Sequence, residues 1–332
     1  MSALQLLIKR LGRTACLAAA VMGLATQAAS AAEVTVGYQT GVEPAKAALA
    51  DGLYEKATGA KINWRKFDNG AELVRALASG DVDVANLGSS VVAAAASRKL
   101  PVQTFLVAAQ LGTSEALVVR NSAGIKKPAD LVGKTIAVPF VSTSHYSLLS
   151  AFKHWGVDAT KVKVINLRIS EIAAAWTRGD IHGAYVWEPA LGRIKESGTV
   201  LATSADVAQW GAPTFDLWVA RKPFADKNAA FLRQFAKVSV SAYEAFRANP
   251  DGFIGDAANL QKIARVTGAK PEDVKVLLRG DRFPTAAEQR QLLGAPVAKA
   301  FADTAAFLKA QGKLDALLPD YSGYVTNTYI GP

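Results

Sequence analysis

Two stretches of the chain, about a hundred residues apart, carry the same pattern, and that duplication constrains the fold more than any other feature. Ala78-Ser79-Gly80-Asp81-Val82 matches Thr177-Arg178-Gly179-Asp180-Ile181, and residues 114–120 (SEALVVR) lie 101 positions before residues 215–221 (FDLWVAR). The flanking segments correspond as well. Residues 33–38 (EVTVGY) alternate apolar and polar and read as a strand; 44–56 read as a helix, 61–67 as a strand, 70–78 as a helix and 82–87 as a buried strand. In the second half, 134–139, 145–155, 162–167, 170–177 and 181–187 repeat that β-α-β-α-β order. Short connections favour parallel strands with right-handed crossovers, so the pattern predicts an α/β fold with two similar lobes. The last third reads as packing helices over 225–249, 271–278, 286–293 and 296–310.

The length of 332 residues is enough for two lobes with separate cores. Residues 1–32 read differently from the rest. Lys9, Arg10 and Arg13 precede an apolar stretch over 15–25, with no acid, and Ala29-Ser30-Ala31-Ala32 follows. A basic start, a short apolar run and small residues are the pattern of a cleavable secretory signal, with cleavage expected after Ala31 or Ala32. The run is too short for a membrane span. Cys16 opens the run rather than following it, as a lipid-anchored cysteine would. Removing the segment takes away the one cysteine and three cations, and the formal charge falls from +10 to +7. The remaining basic residues never run longer than two, as in Arg65-Lys66 and Arg98-Lys99. That scatter argues for a solvated surface and against a nucleic-acid partner.

Ligands of parallel sheets gather beyond the strands' C-terminal ends. There the first half carries Gln39-Thr40-Gly41-Val42-Glu43 and Gly88-Ser89-Ser90. The second carries Ser142-Thr143-Ser144-His145-Tyr146 and Trp187-Glu188-Pro189. Two helix starts rich in Ser and Thr offer unpaired N–H groups and a positive helix end to an anion, although the same residues also serve as ordinary caps. Glu115 and Asp216 occupy equivalent places at the start of the two crossover strands, with Glu43 and Glu188 after strand ends. Such acids need partners: Arg120 and Arg221 within the chain, or an ammonium on a ligand, with Trp187, Trp210 or Tyr146 for cation–π contact. Anion-binding helix ends plus acids suit a small zwitterion. Nucleophile-elbow, dinucleotide, Walker and zinc-protease motifs are all missing from the sequence, and His145, His154 and His182 lack metal-ligand spacing. No metal or cofactor is expected. Catalysis through His145, with Ser142 beside it, is the alternative of a different class.

YQTGVEPAK (38–46), RALASGDVDVANLGSS (75–90), IAVPFVSTSHYSLLSAFKHWG (136–156), RGDIHGAYVWEPA (178–190) and QWGAPTFDLWVARK (209–222) together carry a resemblance that runs from about Val34 to Tyr329. The chain resembles the taurine-binding members of the sulfonate/nitrate/taurine substrate-binding family of ATP-binding-cassette (ABC) importers. The resemblance implies a two-lobed periplasmic binding protein of type II, monomeric, with mainly parallel sheets and the ligand in the cleft. It implies lobe 1 from 33–117 and 218–332, lobe 2 from 118–217, and hinge strands near 115–120 and 215–221. It implies partners in taurine or a related sulfonate and in a membrane permease. Sulfonate contacts would fall on Gln39, Thr40, Ser89, Ser90, Ser142, Thr143, His145 and Tyr146. The ammonium side would fall on Asp216, with Glu43, Glu115, Trp187 and Glu188 nearby. Glu188 departs from the small residue associated with that position. Another aliphatic sulfonate or a thiamine-precursor-like ligand remains an alternative within the class.

Overall fold

The computed structural model describes residues 32–331. The expected signal segment, Cys16 included, lies outside the described residues except for Ala32. Ten strands form two five-stranded sheets. The first contains β1 (Glu33–Tyr38), β2 (Lys61–Lys66), β3 (Val84–Gly88), β4 (Val102–Gln110) and β10 (Phe215–Arg221), in the order β2-β1-β3-β10-β4. The second contains β5 (Ala116–Arg120), β6 (Thr135–Val138), β7 (Lys163–Asn166), β8 (Gly183–Val186) and β9 (Gly198–Thr203), in the order β7-β6-β8-β5-β9. Four strands of each sheet run in the same direction, and the crossover strand, β10 or β5, runs antiparallel to both its neighbours.

The register makes the duplication exact at the crossover strands. Ala220 pairs with Val84 and Val119 with Gly183, while Val84 sits beside Val36 and Gly183 beside Ile136. Counting back along the two strands, Asp216 and Glu115 occupy the same place. Even the strand-edge contacts recur with different chemistry. The Thr35 N–H donates to the Asp83 carboxylate (3.0 Å) and the Thr135 N–H to Nδ1 of His182 (3.1 Å).

The helices follow from capping as much as from periodicity. In chain order the first four are α1 (Ala45–Ala50), α2 (Leu53–Thr58), α3 (Gly70–Ser79) and α4 (Ser89–Ser97). The next four are α5 (Thr143–Trp155), α6 (Ile169–Arg178), α7 (Ala190–Lys195) and α8 (Ser204–Gln209). Asn69 caps α3 through the Glu72 N–H, and Glu171 reaches back to the Arg168 N–H at the start of α6. Both helices stop at a glycine in the left-handed region, Gly80 (φ 90) and Gly179 (φ 86), which is the repeated Gly-Asp of the sequence. The single helix expected over 44–56 is two. Gly52 sits at φ 65 and turns the chain between α1 and α2. Strands β4 and β9 were not read from sequence; β4 is buried over most of its length and lacks alternation.

The C-terminal helices are α9 (Lys222–Ala225), α10 (Ala229–Ala248), α11 (Pro250–Gly255), α12 (Ala257–Thr267), α13 (Pro271–Gly280), α14 (Ala286–Leu292) and α15 (Ala295–Ala310). One apolar cluster joins α10, α12 and α13 to α6 and α7 through Tyr243, Ile263, Leu277, Ile172 and Leu191. No helix among the described residues is long and apolar enough to cross a membrane.

The passage from β4 to β5 is anchored on the turn after α13. Gln110 and Arg282 exchange backbone hydrogen bonds (2.9 and 3.1 Å), and the Gly112 N–H donates to Asp281 (2.8 Å). A Cβ at Gly112 would lie 1.9 Å from the Gly280 carbonyl oxygen, a backbone atom with nowhere to go. Gly112→Ala is therefore expected to destabilise the protein by at least about 2 kcal/mol, read by urea denaturation. A change within experimental error would contradict this close crossing.

Candidate functional site

A narrow cavity lies where the C-terminal ends of the parallel strands of both sheets converge. Its walls include Gln39, Gly41, Gly88, Ser114, Glu115, Ser142, Thr143, Trp187, Glu188 and Asp216. The cavity volume is about 30 Å³, so the walls are drawn together. Contacts between the two sheets' elements hold this arrangement. The Thr40 hydroxyl donates to the Glu188 carbonyl (2.6 Å), Arg168 pairs with Glu72 (3.3 Å), and Ser170 bonds to Asp68 (3.2 Å).

Two helix N-termini meet at the cavity wall. Gly88 is the N-cap of α4 and Ser142 that of α5. A Cβ on Gly88 would lie 2.9 Å from the Thr143 Cγ2, so only glycine lets the two helix starts come this close. The first-turn N–H groups of each helix lack intrahelical acceptors and carry the positive end of the helix dipole, which makes this wall receptive to an oxyanion. The hydroxyls contribute less than the sequence implied. Ser142 Oγ accepts the His145 N–H (3.1 Å) and donates to the Pro139 carbonyl (2.6 Å), so it is an ordinary cap. The Thr143 hydroxyl donates to Glu115 (2.5 Å), and Ser89 Oγ accepts the Phe215 N–H (3.2 Å). Ser90 Oγ is buried without a hydrogen-bond partner.

The acids supply the opposite character. Asp216 starts β10 opposite Gly88, and its carboxylate reaches the cavity beside Gly41, where a Cβ would lie 2.9 Å from Oδ2. It makes no hydrogen bond or ion pair among the described residues. Burial pushes its carboxyl up to about 7, the Glu43 and Asp281 charges add to this, and Lys46 opposes them. Glu115 accepts hydrogen bonds from Thr143 and from Ser204 (3.1 Å). Burial nevertheless holds it up to about 8, with the Asp216 charge adding to the effect. Glu188 accepts the Gly192 N–H (3.1 Å) through Oε2 and leaves Oε1 buried and unpartnered; burial, then the Asp273 charge, raise it to about 7.

The two arginines that could have neutralised these acids are elsewhere. Arg221 pairs with Asp83 (2.5 Å), and Arg120 donates to the Trp176 carbonyl and lies 4.5 Å over its ring. Trp210 stacks on His154 at 4.0 Å, away from the cavity.

The structure thus brings Gln39, Glu115, Ser142, Thr143, Trp187, Glu188 and Asp216 to one cavity. Thr40 closes its edge, and Ser89 and Ser90 form the turn of α4 behind it. His145 and Tyr146 are not on its wall: His145 stacks on Phe140 at 4.6 Å, with burial holding it down at about 4, and Tyr146 packs edge-on against Phe307. Nor is Glu43, which is buried against Lys46 (3.3 Å) and the Tyr243 hydroxyl (2.5 Å). Sequence reasoning missed Gly70, the apolar Val91, Leu111 and Leu277, and Ser114 with Asp281 behind it; Gly41, Val42 and Gly88 were marked only by their strand-end positions. No group of acids, histidines or cysteines among the described residues has the arrangement of a metal site.

Because Glu115 binds its proton more tightly folded than unfolded, its contribution to stability falls as pH rises from about 4.5 to about 8. Glu115→Gln is expected to gain on the ligand-free wild type by on the order of 1 kcal/mol per pH unit across that window, read by urea denaturation. A constant difference between the two proteins at pH 5, 6.5 and 8 would contradict the buried, raised carboxyl.

Comparison with known proteins bears on the fold and the family. The chain is 51% identical to the "Taurine-binding periplasmic protein" of Escherichia coli over 95% of its length and 97% of that protein's. Among solved structures, the periplasmic aliphatic sulphonate binding protein SsuA of Escherichia coli superposes with a TM-score of 0.70 at 22% identity, covering 91% of this chain and 100% of that one. The alkanesulfonate-binding protein SsuA of Xanthomonas axonopodis pv. citri, bound to MOPS, gives 0.72 at 22% identity, covering 87% and 96%. These two likenesses show the two-lobed binding-protein fold. Residues 39–253 match the NMT1/THI5-like family, and the chain belongs to that family.

Proposed function

We propose that this chain is a periplasmic substrate-binding protein that captures taurine and hands it to the permease of an ABC importer, for use as a sulfur source. The observation that carries the reading is Asp216, a cavity carboxylate without an ion pair among the described residues, in the same cavity as two helix N-termini. With the walls parted to admit it, a taurine molecule matches both the helix ends and the carboxylate. Its sulfonate oxygens take the N–H groups at the starts of α4 and α5, and its ammonium takes the Asp216 carboxylate, with the Trp187 ring and Glu115 beside it. Neutral donors serve the sulfonate because its charge is spread over three oxygens, each needing hydrogen bonds more than a counter-ion. Support for taurine rather than another sulfonate comes from the closely similar protein of that name.

The sheets are read as lobes, 33–117 with 218–332 and 118–217, that part and close about the strands near 115–120 and 215–221. Closure expels water and strengthens each polar contact, and it presents the permease with one shape. The chain is a binder rather than an enzyme: the neutral His145, on which a catalytic reading depends, lies off the cavity wall.

Asp216→Asn is expected to weaken taurine by at least about 100-fold and to leave ethanesulfonate within a few-fold of the wild type, measured by isothermal calorimetry. Equal losses for both ligands would remove Asp216 as the ammonium's partner. The pH dependence has a defined sign. Taurine needs the ionised carboxylate, so its affinity is full above about pH 7 and falls as pH drops below it. Ethanesulfonate, which gains nothing from that charge, is expected to bind no worse in acid.

A further inference from the structure

Behind Asp216 lies a lysine with almost no contact with water. Lys46, in α1, is 1% exposed. Its Nζ lies 3.3 Å from Glu43 Oε1, 4.9 Å from the centre of the Tyr38 ring and 5.4 Å from that of Trp218. Trp218 and Asp216 are two residues apart on β10 and therefore project from the same face of the sheet. The ammonium group thus sits in an aromatic pocket on the Asp216 side of the strand.

Its surroundings hold several acids. Glu43 and Asp281 push the Asp216 carboxyl up, and Lys46 pulls it down. Asp281 approaches from the turn after α13, held by the Gly112 and Ser114 N–H groups (2.8 and 3.3 Å), and Glu115 from the start of β5. From α10 the Tyr243 hydroxyl donates to Glu43, and from α2 the Tyr54 hydroxyl bonds to Ser239 (2.8 Å). Both phenols are held neutral by burial. Without Lys46, Glu43 would be a second buried carboxylate without a cation close to Asp216, and two such groups do not both remain ionised at neutral pH. Buried ion pairs contribute little to stability on their own, so folding alone gives a weak reason for placing a lysine here.

We propose that Lys46 is a positioning residue for ligand recognition: paired with Glu43, it keeps that acid out of the cavity and keeps Asp216 in the form that accepts an ammonium group. The proposal rests on the reading of Asp216 as the ammonium's partner. It makes Lys46 a determinant of the choice between aminosulfonates and plain sulfonates without touching either.

The test measures taurine and ethanesulfonate affinities from pH 5.5 to 9 for the wild type, Lys46→Met, Glu43→Gln and the double variant. Lys46→Met is expected to move the acid fall-off of taurine binding up by about one pH unit, roughly fivefold weaker at pH 7, with ethanesulfonate within about twofold. Glu43→Gln is expected to move the fall-off down, and adding Lys46→Met to it to move it back up. That last comparison decides the matter even where Lys46→Met alone does not fold. Parallel losses of both ligands, or one fall-off shared by Glu43→Gln and the double variant, would overturn the role of Lys46. A wild type with no acid fall-off would overturn the ammonium reading first, and the proposal with it.

Discussion

Everything at the cavity depends on a carboxylate that the protein itself does not neutralise. Asp216 sits where it does because β10 runs antiparallel between β3 and β4, which puts its first residues at the ligand edge of an otherwise parallel sheet. The same direction carries Arg221 to the far edge, about 17 Å away at ~3.4 Å per residue, where it pairs with Asp83. The equivalent strand β5 separates Glu115 from Arg120 in the same manner. Each of these strands is hydrogen-bonded on both sides within its own sheet, which fixes the backbone that carries or adjoins the acid. What the fold leaves unpaired, a cationic ligand group can pair.

The oxyanion wall is set by backbone rather than by side chains. Gly88 and the capped start of α5 bring two helix ends together, and most nearby hydroxyls are engaged in holding that geometry. Ser142 caps, Ser89 holds the start of β10, and Thr143 serves Glu115. Their role is to fix the direction of N–H groups, which is why a Ser- and Thr-rich helix start reads the same whether or not it faces a ligand.

The duplication, the succession of strands and helices in each half and the equivalence of Glu115 and Asp216 were legible in the sequence, because each is a local pattern repeated at fixed spacing. The edge strands β4 and β9 were not, since β4 is a buried apolar run with no alternation and β9 buries only one residue fully. The break at Gly52 was hidden inside an otherwise helical stretch. At the site, His145 and Tyr146 were drawn in by proximity in sequence to Ser142 and Thr143, yet their rings pack on Phe140 and Phe307 instead of the cavity. Strand geometry already excluded Arg120 and Arg221 as partners of acids five residues away, an inference available without coordinates. The partner of Glu43 was beyond reach, because nothing in a lysine's local sequence announces that it is buried among aromatic rings.

The central claim is that ligand binding ionises a buried carboxyl and pairs it with an ammonium. Calorimetric titration with taurine in buffers of different ionisation heat, repeated between pH 6 and pH 9, measures that exchange directly. Proton release is expected at pH 6, diminishing as pH rises through about 7, the value to which Asp216 is raised. Taurine binding without proton exchange at any pH would contradict it.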